Sequence, residues 1–139
     1  MSWVQDPEFL TREIIDTIHE ETFTKKQIDI FGGAHGLRDE NALESAIAAA
    51  QNVYHCGGGG IFEIAAAYGF HISESQAFLD GNKRTGVQAA LVFLEGCAVD
   101  ARSLPEDQTY EVMMNIAAHT MGRADLAEHF RRSLSPDEV

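Results

Sequence analysis

The segment Gln76-Ala77-Phe78-Leu79-Asp80-Gly81-Asn82-Lys83-Arg84-Thr85 is where this sequence concentrates reactive groups. A carboxylate, a glycine and two cations precede a stretch, Val87 to Leu94, that is apolar apart from Gln88. A helix opening at Asn82 would present unpaired backbone N–H groups and a partial positive charge there, an arrangement suited to phosphate. Gly81 lets a ligand approach the backbone with no side chain in the way. Lys83 offers a point charge and Arg84 a planar fork that matches two phosphate oxygens. Asp80 stands where it would hold Mg²⁺ against the same phosphates. The residues also admit a plainer reading: Asp-Gly-Asn is a turn with an Asn cap, and Lys83 and Arg84 are solvated first-turn side chains. First-turn cations oppose the helix dipole, so the plainer reading carries a small cost. The Gly-x-x-x-x-Gly-Lys spacing of a Walker loop is absent.

Helices must position this segment. Pro7 reads as a first-turn proline capped by Asp6, and Phe9, Leu10, Ile14, Ile15, Ile18 and Phe23 recur at helical spacing after it. Asp39 predicts the cap of a second helix that runs through Gln51, with Leu43, Ala46, Ile47 and Ala50 on one face. Asn52 to Gly60 reads as irregular and glycine-rich, a flexible loop or small hairpin. Ile61 to Ser73 is apolar nearly all round and predicts a buried helix. Ser75 to Gly81 reads as a loop, and Asn82 opens a helix whose Gly86 lets another backbone come close. Glu95-Gly96 reads as its end, with the glycine just past it. Tyr110 to about Met121 and Ala124 to Leu134 complete an all-α reading of about six helices.

The chain has 139 residues, a one-domain length, with 45% apolar and 23% charged residues. Asp and Glu number 22 against ten Lys and Arg, for a formal charge of −12. That balance argues against nucleic-acid partners and against anionic membrane surfaces. No apolar run reaches the ~18 residues of a membrane span, and no signal peptide is read at the start. Cys56 and Cys97 share no motif, so two reduced thiols in a cytoplasmic protein are expected. His119 and His129 read as surface residues, and Met113 and Met114 as core.

Phe78-Leu79-Asp80-Gly81-Asn82-Lys83-Arg84-Thr85 resembles the Fic/Doc superfamily signature, His-x-Phe-x-(Asp/Glu)-(Gly/Ala)-Asn-(Gly/Lys)-Arg. The Lys form followed by Thr resembles the Doc, or death-on-curing, branch. Phe31-Gly32-Gly33, Gly36-Leu37-Arg38-Asp39, Leu43-Glu44-Ser45-Ala46 and Ala90-Leu91-Val92-Phe93-Leu94 are similar to that branch's pattern too. The resemblance implies a single compact all-α Fic/Doc-type domain over residues 1–139. It implies ATP as substrate and Mg²⁺ as cofactor: Asp80 for the metal, Gly81 and Asn82 for the anion pocket, Lys83 and Arg84 for the phosphates, and Phe78 as anchor of the loop. Relatives with Gly at the position of Lys83 move AMP; the Lys form implies kinase-like transfer of the γ-phosphoryl to a hydroxyl of a target protein, on the translation machinery in the case of Doc. The Asn52–Gly60 stretch corresponds to the flap that aligns the target by strand addition. Fic proteins often carry an inhibitory (Ser/Thr)-x-x-x-Glu-(Gly/Asn) helix. Here Thr17-Ile18-His19-Glu20-Glu21 is followed by Thr22, so an antitoxin acting in trans is implied instead.

One departure bears on the chemistry. Gln76 stands where the family has its His, and an amide has no useful basicity near neutral pH. Phosphoryl transfer leans more on positioning and charge neutralisation, and Gln76 can still orient a hydroxyl through its carbonyl oxygen. His71 lies five residues upstream, ~140° round a continuous helix, and reads as a hydrogen-bonded histidine in a packed helix. His55, in the flap stretch, is the other candidate to stand in as base. Two functions follow from the sequence: a Doc-like transferase of reduced or altered activity, and an inactive nucleotide-binding or protein-interaction module.

Overall fold

The computed structural model describes residues 9–22, 39–55, 60–78 and 82–134. They form six helices: α1 (Arg12–Thr22), α2 (Glu40–His55), α3 (Ile61–Ser75), α4 (Asn82–Gly96), α5 (Glu106–Ala117) and α6 (Arg123–Leu134). Among the described residues there is no strand, only an isolated bridge at Phe78. The fold is all-α, as the sequence predicts. Asp6, Pro7 and Phe23 lie outside the described residues. So do Phe31 to Arg38, Cys56 and the centre of the flap stretch, residues 56–59.

The apolar run of α3 explains the architecture. Ile64 to Gly69 and Ile72 are all buried, because α3 is surrounded by α2, α4 and α6. α1 packs on α4, and α5 on α6. The crossing of α3 with α4 is set by glycines. A Cβ at Gly86 would meet the Gly69 carbonyl oxygen at 2.6 Å and the Ser73 nitrogen at 3.2 Å, so only hydrogen fits there. Tyr68, Phe93 and Phe130 are the largest fully buried side chains, and the Tyr68 hydroxyl accepts a bond from the Leu10 N–H at 3.0 Å.

Several boundaries differ from the sequence reading, each for a local reason. α1 is capped by Thr11, whose hydroxyl accepts from the Ile14 N–H at 3.2 Å, while Phe9 and Leu10 pack on the core ahead of the helix. The Asp39 cap of α2 stands as expected, its Oδ1 accepting from the Ala42 N–H at 3.0 Å. α2, however, runs four residues past Gln51, so Asn52 to His55 is helix and not irregular. Val53 and Tyr54 have apolar neighbours to pack on, including an edge contact of Tyr54 with Phe9 at 5.9 Å.

α4 does not stop ahead of Gly96 either. Ala98, at φ 69°, takes the left-handed position, with the Val99 N–H on the Leu94 oxygen and the Ala98 N–H on the Glu95 oxygen, both 3.0 Å. α5 starts at Glu106, after Pro105, because the proline and the acidic pair Glu106 and Asp107 suit a helix start. It ends at Ala117, where His119 at φ 64° closes the turn. No helix among the described residues is long and apolar enough to cross a membrane.

Candidate functional site

α3 ends one residue before the segment singled out by its chemistry. Gln76 is the C-cap, exposed, at φ 54° and ψ 31°. That left-handed conformation costs a non-glycine residue on the order of 1 kcal/mol. The His71-to-Gln76 angle expected of a continuous helix therefore does not apply, because the chain turns at Gln76. Ser75 stabilises the turn: its hydroxyl donates to the Ile72 oxygen at 2.7 Å and accepts from the Ala77 N–H at 3.1 Å. The Ala77 oxygen then accepts from the Asp39 N–H at 2.9 Å, which ties this loop to the start of α2.

Phe78 and Asn82 close the loop. The Phe78 N–H donates to Asn82 Oδ1 at 2.9 Å, and Asn82 Nδ2 donates to the Phe78 oxygen at 3.0 Å. Asn82 is buried, and its carboxamide is turned onto the backbone of Phe78. Phe78 is buried and stacks on the buried His19 of α1, with ring centroids 3.9 Å apart and planes 9° apart. Gln76 is two residues from Phe78, so its Cα lies at most about 7 Å from a residue clamped to the start of α4.

Lys83 is half-buried and Arg84 exposed on the first turn of α4. The described residues include seven cations: Arg12, Lys83, Arg84, Arg102, Arg123, Arg131 and Arg132. Arg12 engages Asp16, Glu40 and Glu44; Arg102 pairs with Asp100; Arg131 pairs with Glu63 and Glu128, and Arg132 with Glu128. Arg123 points at His71. Among the described residues, Lys83 and Arg84 alone of the seven have no such partner. Beside them Thr85 is fully buried, with a hydroxyl that has no hydrogen-bond partner among the described residues. Asp80 and Gly81, and with them the metal-binding position read from the sequence, lie outside the described residues. Among the described residues no cluster of three or more His, Cys, Asp or Glu could hold a metal ion.

Sequence reasoning missed the two hydrogen bonds between Asn82 and Phe78 and the stacking of His19. The signal for His19 was present, since it lies four residues after Ile15 on the buried face of α1. His71 is a partly buried histidine with a hydrogen-bonding neighbour, as read. Its Nε2 is 3.3 Å from Arg123 Nη1, and a guanidinium only donates, so Nε2 accepts. The surface reading of His129 is corrected. It is half-buried between helices, with Nε2 2.7 Å from the Thr109 hydroxyl, whose proton goes to the Pro105 oxygen. His129 therefore donates. Met113 is core, but Met114 is exposed.

The two histidines give the fold a pH dependence. Burial pushes His71 below its ordinary value of 6.5, with Arg123 adding to the shift, and burial alone does the same for His129. The unfolded chain then binds more protons than the folded one, so stability rises with pH through this range. The histidine contribution is fully present above pH ~6.5 and is lost as pH falls through that value toward the folded-state values. Chemical denaturation at pH 7.5 and 5.5 should show lower stability at the lower pH, and His71→Gln should flatten the difference. Equal stability at both values, in wild type and variant, would contradict the assignment.

A family model described as the Fic/DOC family matches residues 9–94, more than half of the chain, from α1 into the last turn of α4. No curated protein matches the chain.

Proposed function

Since this chain belongs to the Fic/DOC family, we propose that it is a Doc-like, toxin-type phosphotransferase that uses ATP and Mg²⁺ to modify a hydroxyl of a target protein. The observation that carries the proposal is the pair Lys83 and Arg84. In a chain of charge −12, these two cations stand without an anionic partner among the described residues, at the start of a helix whose loop is clamped in place. A triphosphate would supply what they lack.

In this reading Lys83 and Arg84 neutralise the phosphates, and Gly81 and Asn82 form the pocket, Asn82 by holding the loop. Asp80 holds Mg²⁺, which when bound offsets phosphate charge. Phe78, stacked on His19, anchors the loop. Lys83 occupies the position that is Gly in the AMP-transferring relatives, so the group transferred is the γ-phosphoryl. The target oxygen bonds to the γ-phosphorus, the bond to the β–γ bridging oxygen breaks, ADP leaves, and the hydroxyl proton passes to solvent, since Gln76 cannot take it. The target proposed is a protein of the translation machinery, and an antitoxin in trans is the proposed regulator. Gln76 itself favours a second reading, in which the pocket is kept for binding and the chemistry is lost.

The transferase reading requires nucleotide binding, whereas an inactive protein-interaction module does not. Calorimetry should show Mg²⁺-dependent ATP binding, weakened about tenfold or more by Arg84→Ala, which removes a bidentate charge-assisted contact. Arg84 is exposed and makes no hydrogen bond or ion pair among the described residues, so the variant should unfold at the wild-type temperature. Absence of ATP binding at millimolar concentration would remove the transferase reading and leave the protein-interaction module.

A further inference from the structure

The matched segment ends at residue 94, and α5 and α6 lie beyond it. α5 turns Thr109, Met113 and Ile116 toward the bundle. Next to that buried edge it leaves Tyr110 62% and Met114 46% exposed, and Met121, in the turn that follows, 36% exposed. Tyr110, Met114 and the exposed Ala117 follow i, i+4, i+7 spacing and form one stripe. Among the described residues four large apolar side chains are exposed, and three of them, Tyr110, Met114 and Met121, lie on α5 or in the turn after it. Isolated exposed apolar residues are ordinary, but a contiguous row of them marks a contact surface. Tyr and Met are also enriched at interfaces, where Met adapts to its partner.

The charged residues of α5 itself have one sign. Glu106, Asp107 and Glu111 are exposed along it, and no Lys or Arg occurs from Ser103 to Gly122. We propose that this face of α5 docks a cationic amphipathic helix of another protein. The apolar side of that helix lies on Tyr110 and Met114, and its Lys or Arg residues meet Asp107 and Glu111. A second copy of this chain is a poor occupant, because a dimer through this face would bring like carboxylates together between two bodies of charge −12. The proposal does not rest on the transferase reading and concerns a surface away from the start of α4.

The test uses the full chain and a labelled synthetic helix with Leu along one face and Lys on its flanks; a control peptide has Glu for Lys. Fluorescence anisotropy at low salt should show the Lys peptide binding about tenfold or more tightly than the control, with affinity falling as salt rises. Tyr110→Ala with Met114→Ala should weaken binding by about tenfold or more, as loss of central anchors does. Asp107→Asn with Glu111→Gln should lower affinity and flatten its salt dependence. These residues are exposed, so the variants should keep the wild-type melting temperature and ATP affinity. Equal affinity of the Lys peptide for wild type and the Tyr110/Met114 double variant would overturn the proposal. So would a wild-type dimer, seen by sedimentation, that this double variant dissociates, since the face would then belong to a second copy.

Discussion

Gln76→His is expected to raise the rate of protein modification by about 10²–10⁴-fold, the usual worth of a positioned general base. The variant restores an imidazole where the resembling motif carries one. Its backbone cost is small, because Gln76 already sits at φ 54°, a conformation that His tolerates better than most residues. Gln76 is exposed, so the change opens no cavity in the core. The gain should appear in kcat with KM nearly unchanged, because a base acts in the transition state and adds little to ground-state binding. A slower His variant would show that Gln76 is itself an adapted residue that orients the hydroxyl through its amide.

Asn82→Ala should cost about 2–4 kcal/mol and abolish tight ATP binding together. The substitution deletes two buried bonds and strands both the N–H and the carbonyl of Phe78, at about 1–3 kcal/mol for each group left unpaired. Once released, the loop no longer fixes Lys83 and Arg84, which follow Asn82 directly. Urea denaturation measures the first effect and calorimetry the second. A loss of stability below about 0.5 kcal/mol would mean that Phe78 finds other partners.

What was legible in the sequence had short-range physics behind it. The apolar circumference of Ile64 to Ile72 could only mean a helix enclosed on all sides. The Asp39 cap acts within one turn, and Gly86 answered to a close backbone crossing. The terminal boundaries misled because two signals competed. Asp6 and Thr11 are both good caps, and the packing of Leu10 under Tyr68 selects Thr11. The helix does end at Gly96, one residue later than read, but hydrogen bonds to Leu94 and Glu95 put Ala98, not the glycine, in the left-handed position.

Met114 is exposed because α5 turns Thr109, Met113 and Ile116 inward, and His129 is half-buried because α6 carries it against Thr109 of α5. At the site, the cations were legible from composition and position. The direction of the Asn82 side chain was not, because an asparagine at a helix start serves equally as cap, ligand or clamp. Only the three-dimensional path of Phe78 decides among them.

The most direct measurement of the central claim is transfer from ATP labelled at the α- or γ-phosphate, with Mg²⁺, onto purified elongation factor Tu, for wild type and Gln76→His. The expected result is γ-label on the target protein, slow for wild type and fast for Gln76→His, with no α-label. Transfer of α-label would contradict phosphoryl transfer and point to AMP transfer. If neither label moves in either protein while ATP binds normally, the transferase reading fails for this target and the inactive binding module takes its place.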